Sequence, residues 1–192
     1  STFFVDKTID YIRSGGASAK PFFAYVGFQA NHVPVQAPQA FIDKYKGRYD
    51  AGWTALREAR RNKAAELGLI PKDTPMVTMA TTGDWAALNA SERLYQARLM
   101  EVYAAMAESL DHEVGRLIAY LKSTGEYDNT VFVFLSDNGP EGSDYKEADL
   151  WLRLNYSRDL ERLGGQGAYV VPGPSWASAS ASPLNTFKFY SG

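Results

Sequence analysis

Thr130-Val131-Phe132-Val133-Phe134-Leu135 runs straight into Ser136-Asp137-Asn138-Gly139-Pro140, so a β-branched and aromatic stretch stops at a carboxylate beside a carboxamide. An unbroken apolar run of this length, bounded by turn residues, reads as a strand buried on both faces, the pattern of a parallel sheet. Its tip then carries two oxygen-bearing side chains. Hard cations such as Ca²⁺ and Mg²⁺ take such oxygens, and ligands of open α/β sheets gather beyond the carboxyl ends of strands. The same letters also make a turn, in which Asp137 and Asn138 bond their own backbone and Gly139 takes a positive φ. At this point both readings stand.

A second run of the same kind lies upstream. Residues 21–28 (PFFAYVGF) are nearly all apolar and empty into a loop held extended by Pro34 and Pro38, with His32 just past the end of the run. Between the two runs, Asn89 and Glu92 have the spacing of a capping box. Tyr95, Leu99, Val102, Met106, Leu110, Val114, Leu117 and Leu121 follow at helical intervals, predicting a long helix that reaches Lys122. Strand, crossover helix and returning strand make a βαβ unit with parallel strands. The expected architecture is therefore α/β, a largely parallel mixed sheet sandwiched by helices. Parallel strands share an edge at their tips, which puts His32 and the Asp137-Asn138 pair at one crevice.

The remaining segments carry less chemistry. Residues 3–12 predict a helix, residues 40–49 a short helical piece, and residues 52–69 a polar helix whose Arg57, Arg60 and Arg61 read as a solvated face rather than an anion site. Asp111, His112 and Glu113 look like a ligand cluster in one dimension. Neighbours on a helix point in different directions, however, and they read as structural. Residues 168–183 suggest a long loop around Trp176 as an aromatic anchor. Lys188, among Phe187, Phe189 and Tyr190, reads in isolation as a surface lysine with its stem on apolar neighbours.

Composition excludes several functions. With 20 basic and 22 acidic residues and a net charge of −2, nothing draws the chain toward nucleic acid or an anionic membrane. The absence of cysteine rules out disulfides, thiolate metal sites and a cysteine nucleophile within these 192 residues. No apolar stretch approaches the roughly 20 residues of a membrane-spanning helix.

Several segments together resemble a known family. Pro21-Phe22-Phe23-Ala24-Tyr25, the Asn31-His32-Val33-Pro34 loop, residues 46–53 (KGRYDAGW), Met100 to Met106 with Asp111 and Gly115, residues 134–139 (FLSDNG) with Glu141-Gly142, and Trp176 before Phe187-Lys188 occur in the order and spacing of a type I sulfatase. The likeness is to bacterial arylsulfatase-like enzymes of the alkaline-phosphatase superfamily. It implies hydrolysis of a small-molecule sulfate ester and an active-site Ca²⁺, with Mg²⁺ as the alternative cation. By position, Asp137 and Asn138 match two of the four side-chain metal ligands. His32 matches the histidine that touches the sulfate and protonates the leaving oxygen, and Lys188 matches the lysine that neutralises the sulfate oxygens. The expected setting is a soluble protein of the bacterial cytoplasm or periplasm, with no choice between them and no oligomeric state implied.

The departures are equally specific. The family's nucleophile is a formylglycine made from Cys or Ser in a Cys/Ser-x-Pro/Ala-x-Arg motif, which these residues lack. The resemblance places that motif, and the other acidic ligands, in an upstream segment. Residues 1–192 are accordingly expected to be the central part of a larger catalytic domain and to turn over little substrate alone. A phosphonate or phosphate-diester hydrolase of the same superfamily, and a non-catalytic truncated scaffold, remain as alternatives.

Overall fold

One long helix organises the chain. In the computed structural model, which describes residues 1–15, 20–144, 150–184, 186–188 and 190, α4 spans Ala90–Ser123. Its start is the expected capping box: the Glu92 N–H donates to Asn89 Oδ1 at 3.0 Å, and the Asn89 N–H donates to Glu92 Oε2 at 2.8 Å. Two of the donors orphaned at the helix start are thereby satisfied. Helices α1 (Thr2–Gly15), α2 (Gln39–Ile42) and α3 (Gly52–Glu66) all pack on α4.

Two apolar clusters flank α4. On one side Leu99, Val102 and Ala105 meet Val33, Val35, Ile42, Leu163, Ala168 and Val170. On the other, Ala97 and Met100 meet Trp53, Trp85 and Trp176. The indole rings stand edge to face, with centroids 4.7 Å apart for Trp53 and Trp85 and 5.5 Å apart for Trp53 and Trp176. This offset suits the ring quadrupoles, and two of the indole N–H groups find carbonyls: Trp53 Nε1 donates to Gly83 O and Trp176 Nε1 to Gln96 O.

Trp176 is the anchor expected from the sequence, but it sits on a helix, α6 (Gly173–Ala181), not in a loop. Pro174 falls in the first turn, where a missing N–H costs nothing, and the small Ala and Ser residues that follow let α6 approach α3 closely. The stretch from Asp144 onward contains a short helix, α5 (Leu150–Asn155), and part of it lies outside the described residues.

The basic face of α3 is a clamp. Arg57 is buried and donates to Val77 O, Thr78 Oγ1 and Ser182 Oγ; Arg60 donates to the carbonyls of Ser180 and Ser182, and Arg61 to those of Lys72 and Thr74. The three guanidinium groups staple the irregular connection after α3, and the end of α6, onto one helix. A planar fork of five donors suits this task, since each arginine reaches two or more acceptors.

The sheet expected from the sequence is absent. Among the described residues there is no strand, only an isolated parallel bridge between Ser157 and Ala168. The runs 21–28 and 130–135 have no regular secondary structure and make no ladder with each other, so the largely parallel mixed sheet is corrected to a helical arrangement around α4. Their side chains face solvent: Phe23 is 92% exposed, Tyr25 88%, Val131 89% and Phe134 78%. The physical reason is that apolarity and β-branching specify a preference for burial, not a partner, and a strand exists only where another backbone offers its ladder. Among the described residues no helix is long and apolar enough to cross a membrane.

The tryptophan cluster predicts a stability difference. Trp176→Ala removes a fully buried indole and is expected to cost about 3–5 kcal/mol in urea unfolding, while Tyr11→Ala, at a side chain 72% exposed, changes stability by about 0.5 kcal/mol or less. Similar midpoints for the two variants would show that the cluster does not hold the fold.

Candidate active site

His32 lies in the loop between the first apolar run and α2. The loop is pinned to the core on its far side, where the Val35 N–H donates to Val170 O at 3.0 Å and Ala37 N–H to Gly164 O at 3.2 Å, while Val33 and Val35 are buried. His32 itself is part exposed. Its Nδ1 is 2.8 Å from Val33 O and its Nε2 is 3.2 Å from Lys188 Nζ. A carbonyl oxygen only accepts, so Nδ1 carries the proton, and Nε2 accepts from the lysine ammonium.

Lys188 reaches this position because its backbone crosses the loop after the second apolar run. The Lys188 N–H donates to Pro140 O at 3.0 Å. Gly139 and Gly142 permit the crossing. A Cβ on Gly139 would sit 3.2 Å from the backbone N of Lys188, and one on Gly142 would fall 2.1 Å from the Phe187 ring. Gly139 is not among the positive-φ glycines, so close approach rather than left-handed backbone requires it there. Phe187 is buried against this loop.

Asp137 and Asn138 project from the same turn and are exposed. Asn138 Nδ2 donates to Gly139 O at 2.8 Å, and Ser136 Oγ donates to Asn138 O at 2.6 Å, which braces the turn. The structure therefore joins His32 to Lys188 directly, and joins Lys188 through its backbone to the loop that carries Asp137 and Asn138. The donor chemistry of that pair suits a hard divalent cation. Two side chains are only part of the six to eight oxygens such an ion takes, and no group of three or more His, Cys, Asp or Glu side chains that could hold a metal occurs among the described residues.

Glu141 was not singled out as functional by its sequence position, although it follows the Asp-Asn-Gly-Pro turn directly. Its carboxylate is buried, with Oε2 3.2 Å from Lys188 Nζ, while Oε1 accepts from the Ser143 N–H at 2.9 Å and from the Ser143 hydroxyl. Burial raises its pKa, but the two Ser143 hydrogen bonds and the Lys188 ammonium outweigh that and hold it below the ordinary carboxylate value.

An open cleft of about 560 Å³ adjoins this loop, with Pro140 in its wall and Tyr45, Tyr49, Tyr103, Arg60 and Asp111 among its lining. Burial pushes all three phenols above their ordinary value, so they remain neutral hydrogen-bonding groups at physiological pH. Asp111 is thus a cleft residue. Its helix neighbours are not: exposed His112 stands edge to face on Phe41, and buried Glu113 bonds Thr2 and Arg116.

Comparison with known proteins shows the family. The Sulfatase family model matches residues 1–182. An uncharacterised sulfatase of Schizosaccharomyces pombe is 42% identical, over 98% of this chain and 35% of that protein. An arylsulfatase of Klebsiella aerogenes is 38% identical, over 88% of this chain and 37% of its own length. A multifunctional alkaline phosphatase superfamily protein of Trinickia caryophylli is 29% identical, over 85% and 31%. The chain belongs to the sulfatase family, among the type I sulfatases of the alkaline phosphatase superfamily. It spans about a third of the length of these curated relatives.

The depressed Glu141 carboxyl has a thermodynamic consequence. A folded-state pKa below the unfolded value contributes stability that is present above about pH 4.5 and is lost as pH falls through the folded value. Unfolding free energies measured from pH 6 down to 3 should fall more steeply for the wild type than for Glu141→Gln. Parallel curves would show that Glu141 carries no such linkage.

Proposed function

We propose that the protein to which these residues belong hydrolyses sulfate esters, and that residues 1–192 are the central part of its catalytic domain. The contact between His32 and Lys188, beside the Asp137-Asn138 turn, carries the reading. The solvent-facing apolar runs 21–28 and 130–135 support the second half of it, because exposed aromatic and branched side chains in such number call for further polypeptide to cover them.

Hydrolysis breaks the S–O bond, transfers the SO₃ group to an incoming oxygen nucleophile and leaves the alcohol oxygen in need of a proton. Sulfate esters of ordinary alcohols leave poorly without that proton. His32 is the group to deliver it, once its Nε2, which faces the Lys188 ammonium, has itself taken up a proton from solvent. Lys188 places a positive charge where the sulfate oxygens gather charge, a contribution that counts most when the group is held in position beforehand. Asp137 and Asn138 would supply two oxygen ligands to a Ca²⁺ ion, with Mg²⁺ as the alternative, and the ion when bound would neutralise sulfate charge. The neighbouring tyrosine-lined cleft has the size of a small-molecule site and would accept the organic part of the ester. The nucleophile, a formylglycine by family resemblance, is assigned to the part of the protein outside these residues.

Two measurements on the full-length gene product test the proposal. Turnover of 4-nitrophenyl sulfate should exceed that of bis(4-nitrophenyl) phosphate, and His32→Ala and Lys188→Ala should each lower kcat/KM for the sulfate by about 10²-fold or more. Phosphodiester turnover without sulfate turnover would replace this reading with a phosphodiesterase of the same superfamily. Chelation should also abolish sulfate turnover, with recovery on adding Ca²⁺ in the wild type and little recovery in Asp137→Ala. Activity indifferent to chelator would remove the metal from the proposal.

A further inference from the structure

We propose that Glu141 is a positioning residue of this site: its buried carboxylate anchors the Lys188 ammonium so that Lys188 donates to Nε2 of His32 and, with Val33 O on Nδ1, holds the imidazole in one orientation. The inference rests on the sulfatase reading above and adds to it a residue to which that reading gives no part.

Three features of the geometry carry it. First, Glu141 is itself immobilised. One carboxylate oxygen takes two hydrogen bonds from Ser143, which leaves the other directed at Lys188 Nζ 3.2 Å away. Second, the lysine is held at both ends, by its backbone N–H on Pro140 O and by its ammonium between Glu141 and His32. A lysine stem has four rotatable bonds and otherwise sweeps a wide volume, so a cation meant for one oxygen needs such a tether. Third, the pair is shielded. The Glu141 side chain is 6% exposed and that of Lys188 22%, far from the solvated ion pairs that contribute little.

The consequence reaches the histidine. Val33 O fixes the proton on Nδ1, and Lys188 occupies the lone pair of Nε2 until a substrate displaces it. Were Lys188 to swing away, the ring would be held by Val33 O alone. Glu141 bonds Ser143 and Lys188, not His32, and acts through the lysine. Charge matters as well as shape, because a neutral acceptor of the same size binds an ammonium more weakly than a carboxylate does.

The test is a double-mutant cycle in the full-length protein, with 4-nitrophenyl sulfate as substrate. Glu141→Gln, which keeps size and one acceptor oxygen, is expected to lower kcat about tenfold or more while KM changes less than threefold, with its melting temperature showing that the fold is retained. Lys188→Ala should cost at least as much. The double variant should be no worse than Lys188→Ala alone, since Glu141 has no role without the lysine. Should Glu141→Gln fail to fold, Glu141→Asp replaces it in the same cycle, and the same non-additivity is expected. Wild-type kinetics for Glu141→Gln alongside an inactive Lys188→Ala, or losses that multiply in the double variant, would overturn the inference and leave the site reading intact. Wild-type activity for Lys188→Ala would instead remove the site reading, and this inference with it.

Discussion

The structure depends on α4 having two faces to bury. Leu99, Val102 and Ala105 serve one cluster, and Ala97 and Met100 the other, so the helix is a shared wall rather than a layer on a sheet. Two acids on it are buried as well, each at a structural crossing. Glu101 accepts from the Gly47 N–H and pairs with Arg98, tying down the turn before α3; Glu113 accepts from Thr2 and pairs with Arg116, tying down α1. Buried carboxylates are costly unless their oxygens are satisfied, and each is satisfied by one group from a neighbouring segment and one arginine of α4 itself. The capping box at one end and the packed faces along the length thus fix the frame on which the site loops hang.

The site is built from loop crossings, not from the tips of paired strands. The loop that carries His32 is pinned to Val170 and Gly164, and the loop that carries Asp137 and Asn138 is pinned to the backbone of Lys188. Glycine at 139 and 142 lets the second crossing come within contact distance, and Phe187 fills the space beneath. Lys188 is the joint between the two loops. Loops held by a rigid support are common carriers of function, and the support of these two is the core beside α4.

Much of this was legible in the residues. The start of α4 was written in Asn89 and Glu92, and its length in the spacing from Tyr95 to Leu121, because capping and helical periodicity are local. The aromatic weight of Trp176 was legible; its helix was not, since Pro172, Gly173 and Pro174 read as punctuation although Pro174 suits a first turn. The sheet was inferred from 21–28 and 130–135 by treating apolarity as evidence of pairing, and pairing is a property of two backbones. His32 and Lys188 do lie together, but for a reason the parallel-sheet argument did not contain: chain 156 residues apart in sequence closes through the Pro140 crossing. Glu141 stands in the sequence as part of the matching motif, but its contact with Lys188 depends on that closure and is not legible locally.

The arginine clamp of α3 sets where this chain is free to change. Arg57, Arg60 and Arg61 grip mainly carbonyl oxygens of residues 72–77 and 180–182, groups that every amino acid carries. The clasped connection can therefore drift in sequence, at Lys72 or the half-exposed Val77 for example, without loosening the grip, provided the path of its backbone is kept. The arginines have no such latitude, because a lysine presents a point charge where a fork is needed. Mutational tolerance is thus divided unequally between the two sides of one contact, and a library built on this scaffold would find its variable positions in the held segment rather than in the helix that holds it.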